Sequence, residues 1–309
     1  MSKYQKISVL GLGNWGTALA NHLAQAGYLV TGWSIESDIV ESINKNHINC
    51  RYQSGTTLSS NLRATSELVE ALDNQIIVLV VPSDALSDVL PRVNLEEGSL
   101  LVSAVKGLEK SSLKTPLQYA RQVLGDKVKL SVLSGPSFAV DVVAGKPCGV
   151  VAASEHEEDA RLTANIFSHG NMRVYISTDP LGVELGGILK NVIALAAGIS
   201  DGMGLGDSAR AGLITRGLAE ITRLAVAMGA NEKTLSGLSG LGDLVMTASC
   251  DTSRNRTVGL RLGRGEKLQK IIDTLGSVAE GVKTAPLVMQ LAENYGVEMP
   301  ITFEMSRVL

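Results

Sequence analysis

The spacing of apolar residues changes once along this 309-residue chain, near residue 180. In the first part, short and continuously apolar runs alternate with segments of helical periodicity. The runs predict strands at 6–10, 28–33, 75–81, 99–105, 129–134, 149–154 and 172–177. The segments between them predict helices at 16–27, 36–45, 84–92, 112–124 and 156–167. Apolar strands separated by helices indicate a parallel sheet covered on both faces, which is the doubly wound arrangement.

The second part shows helical periodicity and no convincing strand. Its glycine-bounded segments predict helices at 181–199, 208–229, 232–237, 255–263, 266–273, 284–294 and 301–309. The sequence Ser-Thr-Asp-Pro at 177–180 marks the junction, because Asp-Pro favours a turn and proline can begin a helix. The expected fold class is therefore α/β. A Rossmann-type doubly wound parallel sheet occupies residues 1–179, and an all-α C-terminal domain occupies residues 180–309.

A glycine-rich turn connects the first predicted strand to the first predicted helix. Gly11, Gly13 and Gly16 form the spacing GxGxxG directly after strand 6–10. The first glycine makes the tight turn, the second lets the backbone approach a pyrophosphate, and the third permits close helix–strand packing. The N–H groups that open the helix face the phosphates. We predict that this turn binds a nicotinamide dinucleotide and that residues 1–179 are the dinucleotide-binding domain.

The residues after the second predicted strand bear on the choice between NAD and NADP. A carboxylate there would accept a hydrogen bond from a ribose 2′-hydroxyl, whereas an arginine would hold a 2′-phosphate. The segment 34–38 (Ser-Ile-Glu-Ser-Asp) is acidic, and the next arginine or lysine is Lys45. Glu36 could instead belong to the first turn of the following helix, where an acid complements the helix dipole. This segment favours NAD and leaves NADP open.

Two lysines are candidates for the chemical step. Lys106 follows strand 99–105, at the sheet edge where a doubly wound fold presents its ligands, although a solvated lysine would fit there equally. Lys190 is the one ionisable residue between Leu185 and Ser200. A buried ammonium is costly unless its pKa falls or it has a partner, so Lys190 is a candidate base. The alternative is a lysine that extends from an apolar helix to solvent.

Three further segments could form a substrate site. Asp243 lies in Ser-Gly-Leu-Gly-Asp-Leu (239–244), where it could equally be a helix N-cap. The helix start 253–256 (Ser-Arg-Asn-Arg) offers arginine and backbone donors to a phosphate. The turn 134–139 (Ser-Gly-Pro-Ser-Phe-Ala) either offers backbone N–H groups at the same sheet edge or is structural. The more distant basic side chains are expected to form a solvated face: Arg261, Arg264 and Lys267.

Composition excludes several other classes of protein. With a formal net charge of −3, no basic surface is expected for nucleic acid or a membrane. Cys50, Cys148 and Cys250 lack CxxC spacing and are expected to be reduced thiols. The four histidines form no i,i+4 pair, so we predict no metal site. Glycines interrupt the N-terminus before a signal-peptide core, and no apolar stretch approaches membrane-helix length. We expect a cytoplasmic protein.

With these motifs in place, the chain resembles the NAD(P)-dependent glycerol-3-phosphate dehydrogenases. The resemblance runs in order through GLGNWGTALA (11–20), VVPS (80–83), VKGLE (105–109), SGPSFA (134–139), LGGILKNVIALAAGISDGMGLGDSARAGLITRGLAE (185–220), SGLGDL (239–244), SRNR (253–256), AEGVKTA (279–285) and VEMPI (297–301). It implies interconversion of sn-glycerol 3-phosphate and dihydroxyacetone phosphate with NAD or NADP, feeding phospholipid synthesis. The helical residues 180–309 would then bind the substrate, and we also expect a homodimer.

The resemblance implies a role for each matching position. Lys190 matches the family's general base. The positions that match substrate-binding or active-site residues are Lys106, Gly135, Ser137, Asn191, Asp243, Thr247, Ser253, Arg254 and Asn255. The positions that match cofactor contacts are Gly11, Gly13, Asn14, Trp15, Gly16, Lys106, Ala139, Arg254, Val278 and Glu280. Ile35 stands where bacterial members often have an arginine or histidine, which weakens the expectation of NADP preference.

The combined hypothesis is an acid–base step at Lys190. The neutral amine removes the C2 hydroxyl proton as hydride leaves for the nicotinamide, and the ammonium protonates the alkoxide in reduction. Arg254 and Asn255 fix the phosphate, while Lys106 and Asp243 orient the C2 end. Burial and Lys106 would lower the Lys190 pKa, and Asp243 would raise it. Two alternatives remain on the residues alone: a two-domain hydroxy-acid dehydrogenase, with a carboxylate at Arg254, and a non-catalytic dinucleotide sensor.

Overall fold

The computed structural model of the protein describes residues 6–275 and 279–309, and the chain folds into two compact units. Unit 1 comprises Met1–Val105, Pro116–Leu133 and Ser137–Pro180. Unit 2 comprises Lys106–Thr115, Ser134–Pro136 and Leu181–Leu309. Two short segments from the first half of the chain therefore belong to the same unit as the C-terminal helices. These segments carry Lys106 and Gly135, both of which are candidate site residues.

Unit 1 is built on an eight-stranded sheet. Its strands are β1 (Lys6–Leu10), β2 (Leu29–Trp33), β3 (Leu62–Thr65), β4 (Ile76–Leu79), β5 (Leu100–Ser103), β6 (Lys129–Ser134), β7 (Cys148–Ala153) and β8 (Met172–Ser177). The order is β3-β2-β1-β4-β5-β6-β7-β8, and the pairs β1–β2, β1–β4, β2–β3, β4–β5, β5–β6 and β7–β8 are parallel. The order reverses between β1 and β4, where doubly wound sheets bind their ligands. The predicted fold class is confirmed.

The helices of unit 1 lie between these strands. They are α1 (Asn14–Gln25), α2 (Ser37–Asn46), α3 (Leu68–Ala71), α4 (Leu86–Val89), α5 (Pro116–Leu124), α6 (Ala139–Val143) and α7 (Glu157–Phe167). The helix expected at 84–92 is wrong in extent, because α4 gives way to a 3₁₀ turn at Leu90–Arg92. Pro91 lacks the N–H that would continue the helix, and its ring clashes with the preceding turn. Similarly, α5 begins at Pro116 rather than at 112, since proline suits the first position of a helix.

Three short elements of unit 1 were not predicted from the sequence: β3, α3 and α6. β3 has only four residues, and the side chain of Arg63 in its middle is exposed. A strand at the edge of a sheet pairs with only one neighbour, and part of its surface is exposed. Its sequence therefore lacks a continuous apolar run. α3 and α6 span four and five residues, which is too short for a helical period to be recognised.

Unit 2 is helical throughout its described part beyond residue 180. Its elements are α8 (Pro180–Gly202), α9 (Asp207–Ala227), α10 (Glu232–Leu235), a π-helical turn (Leu238–Gly242), α11 (Asp243–Ser249), α12 (Arg254–Gly263), α13 (Leu268–Leu275), α14 (Glu280–Asn294) and α15 (Pro300–Val308). α11 was not expected as a separate helix, because the glycines before it obscure its period. The expectation that no apolar stretch approaches membrane-helix length is wrong, because α8 is long and apolar enough to cross a membrane. However, 94% of its most apolar window is buried inside the protein. Its apolar side chains form the core of unit 2.

Glycines allow α8 and α12 to cross with their backbones in contact. A Cβ added to Gly259 would lie 2.1 Å from the carbonyl oxygen of Leu195, and one added to Gly198 would lie 2.2 Å from that of Arg256. Gly202 and Gly263 are equally restricted, each by a carbonyl oxygen of the opposite helix at 2.3 Å. The separation of two packed helices depends on the side chains at their contact, so only glycine permits this approach.

We expect Gly259→Ala to destabilise the protein by about 1–3 kcal/mol, because the added methyl group must push the two helices apart. Gly212→Ala is the matched control: it lies within α9, and a Cβ there would meet nothing within 4 Å. The control should be neutral or stabilising by up to about 1 kcal/mol, the helix propensity of alanine over glycine. Urea unfolding of both variants measures the difference. Equal stability of the two variants would contradict a close helix crossing.

Candidate active site

The glycine-rich turn lies between β1 and α1, as expected. Gly11 has a φ of +104°, and a Cβ there would lie 2.8 Å from the carbonyl oxygen of Val80. A Cβ on Gly16 would lie 1.8 Å from the carbonyl oxygen of Gly11, so both positions require glycine for packing. Gly13 differs, because a Cβ on it would meet no atom within 4 Å. As the N-cap residue of α1 it has no side chain to cap the first N–H groups, which fits an approaching pyrophosphate.

Trp15 and Asn14 open α1 beside this turn. The indole Nε1 of Trp15 is buried and has no hydrogen-bond partner among residues 6–275 and 279–309. Buried polar groups are nearly always paired, and an indole N–H can only donate, so it suits an acceptor on a bound ligand. The Asn14 Oδ1 accepts a hydrogen bond from the Nε2 of Gln53. The unpaired indole N–H of Trp15 thus leaves a donor that fits a dinucleotide bound at this turn.

The loop after α2, which contains Asn49, packs against the glycine-rich turn. The sequence did not indicate this contact. The Nδ2 of Asn49, which is fully buried, donates to the carbonyl oxygen of Leu12 at 2.9 Å and to the Oγ1 of Thr17 at 2.8 Å. Its Oδ1 accepts from the backbone N–H groups of Arg51 and Tyr52. Asn49 thereby fixes the residues that follow it at the cofactor turn. No motif signals this role, since one asparagine in a polar loop resembles any other.

In unit 2, one buried carboxylate joins the two candidate lysines. Asp243 is fully buried, and its Oδ1 forms an ion pair with the Nζ of Lys190, which has 6% of its side-chain surface exposed. The Asp243 Oδ2 accepts a hydrogen bond from the Nζ of Lys106 at 2.8 Å. Lys106 also donates to the carbonyl oxygen of Gly135 at 3.3 Å. The two cations were predicted separately, and the structure brings them to one acceptor.

The start of α11 positions both partners of Lys190. Asp243 and Thr247 are four residues apart and so lie on the same face of the helix. The hydroxyl of Thr247 donates to the carbonyl oxygen of Asp243 at 2.6 Å and accepts from the Lys190 Nζ at 2.9 Å. Lys190 extends from α8, where a Cβ on Gly186 would lie 2.6 Å from the carbonyl oxygen of Ser239. The absence of a side chain at Gly186 leaves room for the segment that leads to Asp243.

The pKa of Lys190 is lowered from its usual 10.5 to about 7, mainly because of burial and also because of the positive charge of Lys106. The carboxylate of Asp243 acts in the opposite direction, and the hydrogen bond to it also raises the pKa. The balance leaves amine and ammonium both populated near neutrality, as a reversible acid–base group requires. Lys190 does not extend to solvent, so that alternative is wrong.

A second set of contacts joins α8, α12 and the start of α14. The Nδ2 of Asn255 donates to the Oδ1 of Asn191 at 2.9 Å, and its Oδ1 accepts from the backbone N–H of Gly281 at 2.9 Å. Ser253 caps α12, because its hydroxyl accepts from the backbone N–H of Arg256. The amide of Asn255 therefore fixes three chain segments at one place.

The two arginines of the segment 253–256 have different environments. Arg256 is buried and forms ion pairs with Asp201 and Asp251. Arg254 is the first residue of α12 and is exposed. A guanidinium already held by two carboxylates is a poor site for a further anion, so Arg254 is the phosphate-binding candidate.

The remaining candidate residues are Ser137, Ala139, Glu280 and Val278. Ser137 and Ala139 belong to unit 1, where Ala139 begins α6. Glu280 begins α14. Val278 lies outside the described residues. Within 6–275 and 279–309, no group of three or more His, Cys, Asp or Glu side chains could hold a metal ion, and Cys50, Cys148 and Cys250 are free thiols.

The chain matches models of both halves of one enzyme family. Residues 6–160 match the N-terminal part of NAD-dependent glycerol-3-phosphate dehydrogenase, and residues 179–309 match its C-terminal part. The chain belongs to this family. It is accordingly an NAD(P)-dependent oxidoreductase, and the predicted family, enzyme class and cofactor type are confirmed.

Individual relatives resemble the chain over almost its whole length. It is 48% identical to a glycerol-3-phosphate dehydrogenase [NAD(P)+] of Geobacter sulfurreducens, over 99% of this chain and 92% of that protein. It is 50% identical to one of Nitratidesulfovibrio vulgaris, over 98% and 93%. The crystal structure of glycerol-3-phosphate dehydrogenase from Coxiella burnetii superposes with a TM-score of 0.94 at 39% identity, covering 99% of this chain and 94% of that one.

We expect Asp243→Asn to destabilise the enzyme by about 3–5 kcal/mol at pH 6, because it leaves the buried Lys190 ammonium without its counter-charge. At pH 9, above the Lys190 pKa of about 7, the amine is neutral and the loss should be smaller. Urea unfolding at both pH values measures it. Glu266→Gln, which removes a partly exposed partner of Arg261, is the control and should cost at most about 1 kcal/mol at either pH. An equal loss for Asp243→Asn at both pH values would contradict this charge balance.

Proposed function

We propose that the enzyme interconverts sn-glycerol 3-phosphate and dihydroxyacetone phosphate with Lys190 as its general base and acid. The observation that carries this proposal is the buried Lys190 amine, whose pKa is lowered to about 7 and which is held by Asp243 and Thr247. The same side chain stands at the position where family resemblance puts the base. Bound NAD or NADP accepts or supplies the hydride in this reaction.

The lysine moves one proton in each direction. In oxidation the neutral Nζ of Lys190 takes the proton of the C2 hydroxyl, while the hydrogen on C2 leaves with its electron pair. The ammonium that results is stabilised by the adjacent carboxylate of Asp243. In reduction the ammonium returns the proton to the developing alkoxide. Thr247 holds the Nζ in place through its hydroxyl, so the lone pair of the amine, or the N–H of the ammonium that replaces it, has a fixed direction.

Arg254 and Asn255 are proposed to bind the substrate phosphate at the start of α12. The exposed guanidinium of Arg254 supplies paired donors, and the helix start adds backbone N–H groups. Lys106, with 20% of its side-chain surface exposed, is proposed to contact the C2 end from beside Asp243. Gly135, Ser137, Asn191, Thr247 and Ser253 complete the proposed substrate-binding set.

The proposed division of labour places the dinucleotide on residues 1–179 and the substrate on residues 180–309. The proposed cofactor contacts are Gly11, Gly13, Asn14, Trp15, Gly16, Lys106, Ala139, Arg254, Val278 and Glu280. Lys106 and Gly135 come from the first range, but both belong to the compact unit that contains Lys190. We further propose a cytoplasmic homodimer that supplies glycerol 3-phosphate to phospholipid synthesis, and both statements rest on family membership.

Lys190→Met should lower kcat by about 10²–10⁴-fold, the usual contribution of acid–base catalysis, while NADH binding is retained. In the wild type, kcat for oxidation should rise with pH through about 7 and kcat for reduction should fall, because the two directions need the amine and the ammonium respectively. Lys267→Met, at an exposed lysine, is the control and should retain both limbs. Initial rates across pH with either substrate test this, and a Lys190 variant near the wild-type rate would assign the base elsewhere.

Arg254→Ala should raise the KM for dihydroxyacetone phosphate by about 10- to 100-fold, as expected for lost hydrogen bonds to a charged group, with a smaller change in kcat. Arg264→Ala, at another exposed arginine, should leave KM unchanged. Steady-state rates over a range of substrate concentration separate the two constants. If KM is the same in the Arg254 variant and the wild type, the phosphate is bound by other residues.

A further inference from the structure

The end of β2 carries an acidic side chain in a defined position. The hydroxyl of Ser34 donates to the Oε2 of Glu36 at 2.5 Å, and the backbone N–H of Glu36 donates back to the Ser34 Oγ at 3.2 Å. Glu36 is the N-cap residue of α2, but its side chain does not cap that helix. In doubly wound sheets a carboxylate after the second strand accepts from the ribose 2′-hydroxyl of NAD. The Ser34–Glu36 pair thus holds a hydrogen-bond acceptor in the region where doubly wound folds contact the adenosine ribose.

Between these two residues lies an apolar side chain. Ile35 is 77% exposed, although a large aliphatic group at the surface gains nothing there from packing. It offers no donor and no charge to a 2′-phosphate, which carries up to two negative charges. The interaction that the Ile35 side chain can make with the adenosine is an apolar contact.

An arginine that sequence analysis missed does reach this region. Arg51 follows Asn49 in the loop fixed to the glycine-rich turn, and its Nε donates to the Oδ2 of Asp38 at 2.6 Å. This hydrogen bond, together with the negative charges of Asp38 and Glu36, raises the pKa of Arg51. The guanidinium is therefore within electrostatic reach of Glu36 but is already paired with a carboxylate of α2.

The other nearby cations are paired in the same way. Lys45 of α2 forms an ion pair with Glu41, and Arg63 of β3 forms one with Glu70 of α3. Each of these pairs is exposed and individually weak. Together they mean that a 2′-phosphate would have to compete with an existing carboxylate for any of these three basic side chains, while also facing Glu36.

We propose that the enzyme selects NAD(H) over NADP(H), with Glu36 accepting from the ribose 2′-hydroxyl and Asp38 withholding Arg51 from a 2′-phosphate. This inference rests on the proposed function, since it concerns the coenzyme of the same reaction. Glu36 and Ile35 give the 2′-hydroxyl an acceptor and the 2′-phosphate a like charge. In the loop that Asn49 fixes to the glycine-rich turn, the carboxylate of Asp38 offsets the charge of Arg51.

Direct binding tests the selectivity without turnover. Fluorescence titration of the purified protein with NADH and with NADPH, in a buffer of fixed and moderate salt, should give a Kd for NADPH at least about tenfold higher than for NADH. The kcat/KM for dihydroxyacetone phosphate reduction with each coenzyme should show the same preference. Equal affinities, or a preference for NADPH, would overturn the proposal.

Variants assign the preference to its residues. Ile35→Arg should lower the Kd for NADPH by about tenfold or more, while Ile272→Arg, which adds the same charge at an exposed isoleucine of α13, should change neither coenzyme's affinity. Glu36→Gln should weaken NADH and strengthen NADPH. Asp38→Asn should strengthen NADPH by freeing Arg51, whereas Glu41→Gln removes the same charge from α2 without touching Arg51 and should not. Equal effects of the last two variants would reduce the role of Arg51 to general electrostatics and contradict the assignment.

The two proposals fail in different ways. If neither coenzyme supports reduction of dihydroxyacetone phosphate although both titrations show binding, the proposed function fails and the selectivity stands on affinity alone. If reduction proceeds with NADPH as well as with NADH, the function stands and the selectivity fails. Folding of each variant is verified by its urea-unfolding midpoint, so a loss of binding by unfolding is recognised.

Discussion

The ion pairs of Asp243 are the interaction on which the catalytic half of the structure depends. A fully buried carboxylate and a lysine with little exposed surface each pay a large desolvation cost, and neither is tolerated alone. Burial is the main cause that lowers the Lys190 pKa to about 7, and the positive charge of Lys106 on the same carboxylate also lowers it, against the raising effect of Asp243. A single lysine–aspartate pair would favour the ammonium more strongly, so Lys106 helps to keep amine and ammonium of Lys190, the proposed base, both populated.

Backbone contact between helices allows that arrangement to sit inside an otherwise apolar unit. α8 is buried along most of its length, and it accommodates polar partners only because neighbouring segments reach it directly. Gly186 leaves room for the segment before α11, and Gly198 and Gly259 let α12 cross α8 in close contact. Asn255 can then meet Asn191 across the two helices. The close helix packing and the polar contacts of the site therefore both require glycine at these positions.

Much of this could be predicted from the sequence, and the misses have physical reasons. The strand–GxGxxG–helix context identified the cofactor turn because the motif and the two structural periods occur together. Lys190 was recognisable because an ionisable group in a long apolar stretch needs an explanation. By contrast, the roles of Asn49 and Arg51 depend on a loop that folds back over the turn, and no local pattern encodes that contact. β3 escaped notice because an edge strand lacks the apolar run that marks a central one.

The residue type at a position says less about whether it can bind an anion than the partners of its side chain do. Arg254 and Arg256 are two positions apart in the same motif, yet one is exposed and the other is neutralised by Asp201 and Asp251. Arg51 would look like a 2′-phosphate ligand if its place in the fold were known but its bond to Asp38 were not. Because a carboxylate offsets the charge of the guanidinium that it pairs with, basic side chains without such a partner are expected to attract anions most strongly. The anions that a site can bind thus depend on the charge left unpaired there, and that charge is determined by which side chains the fold brings together.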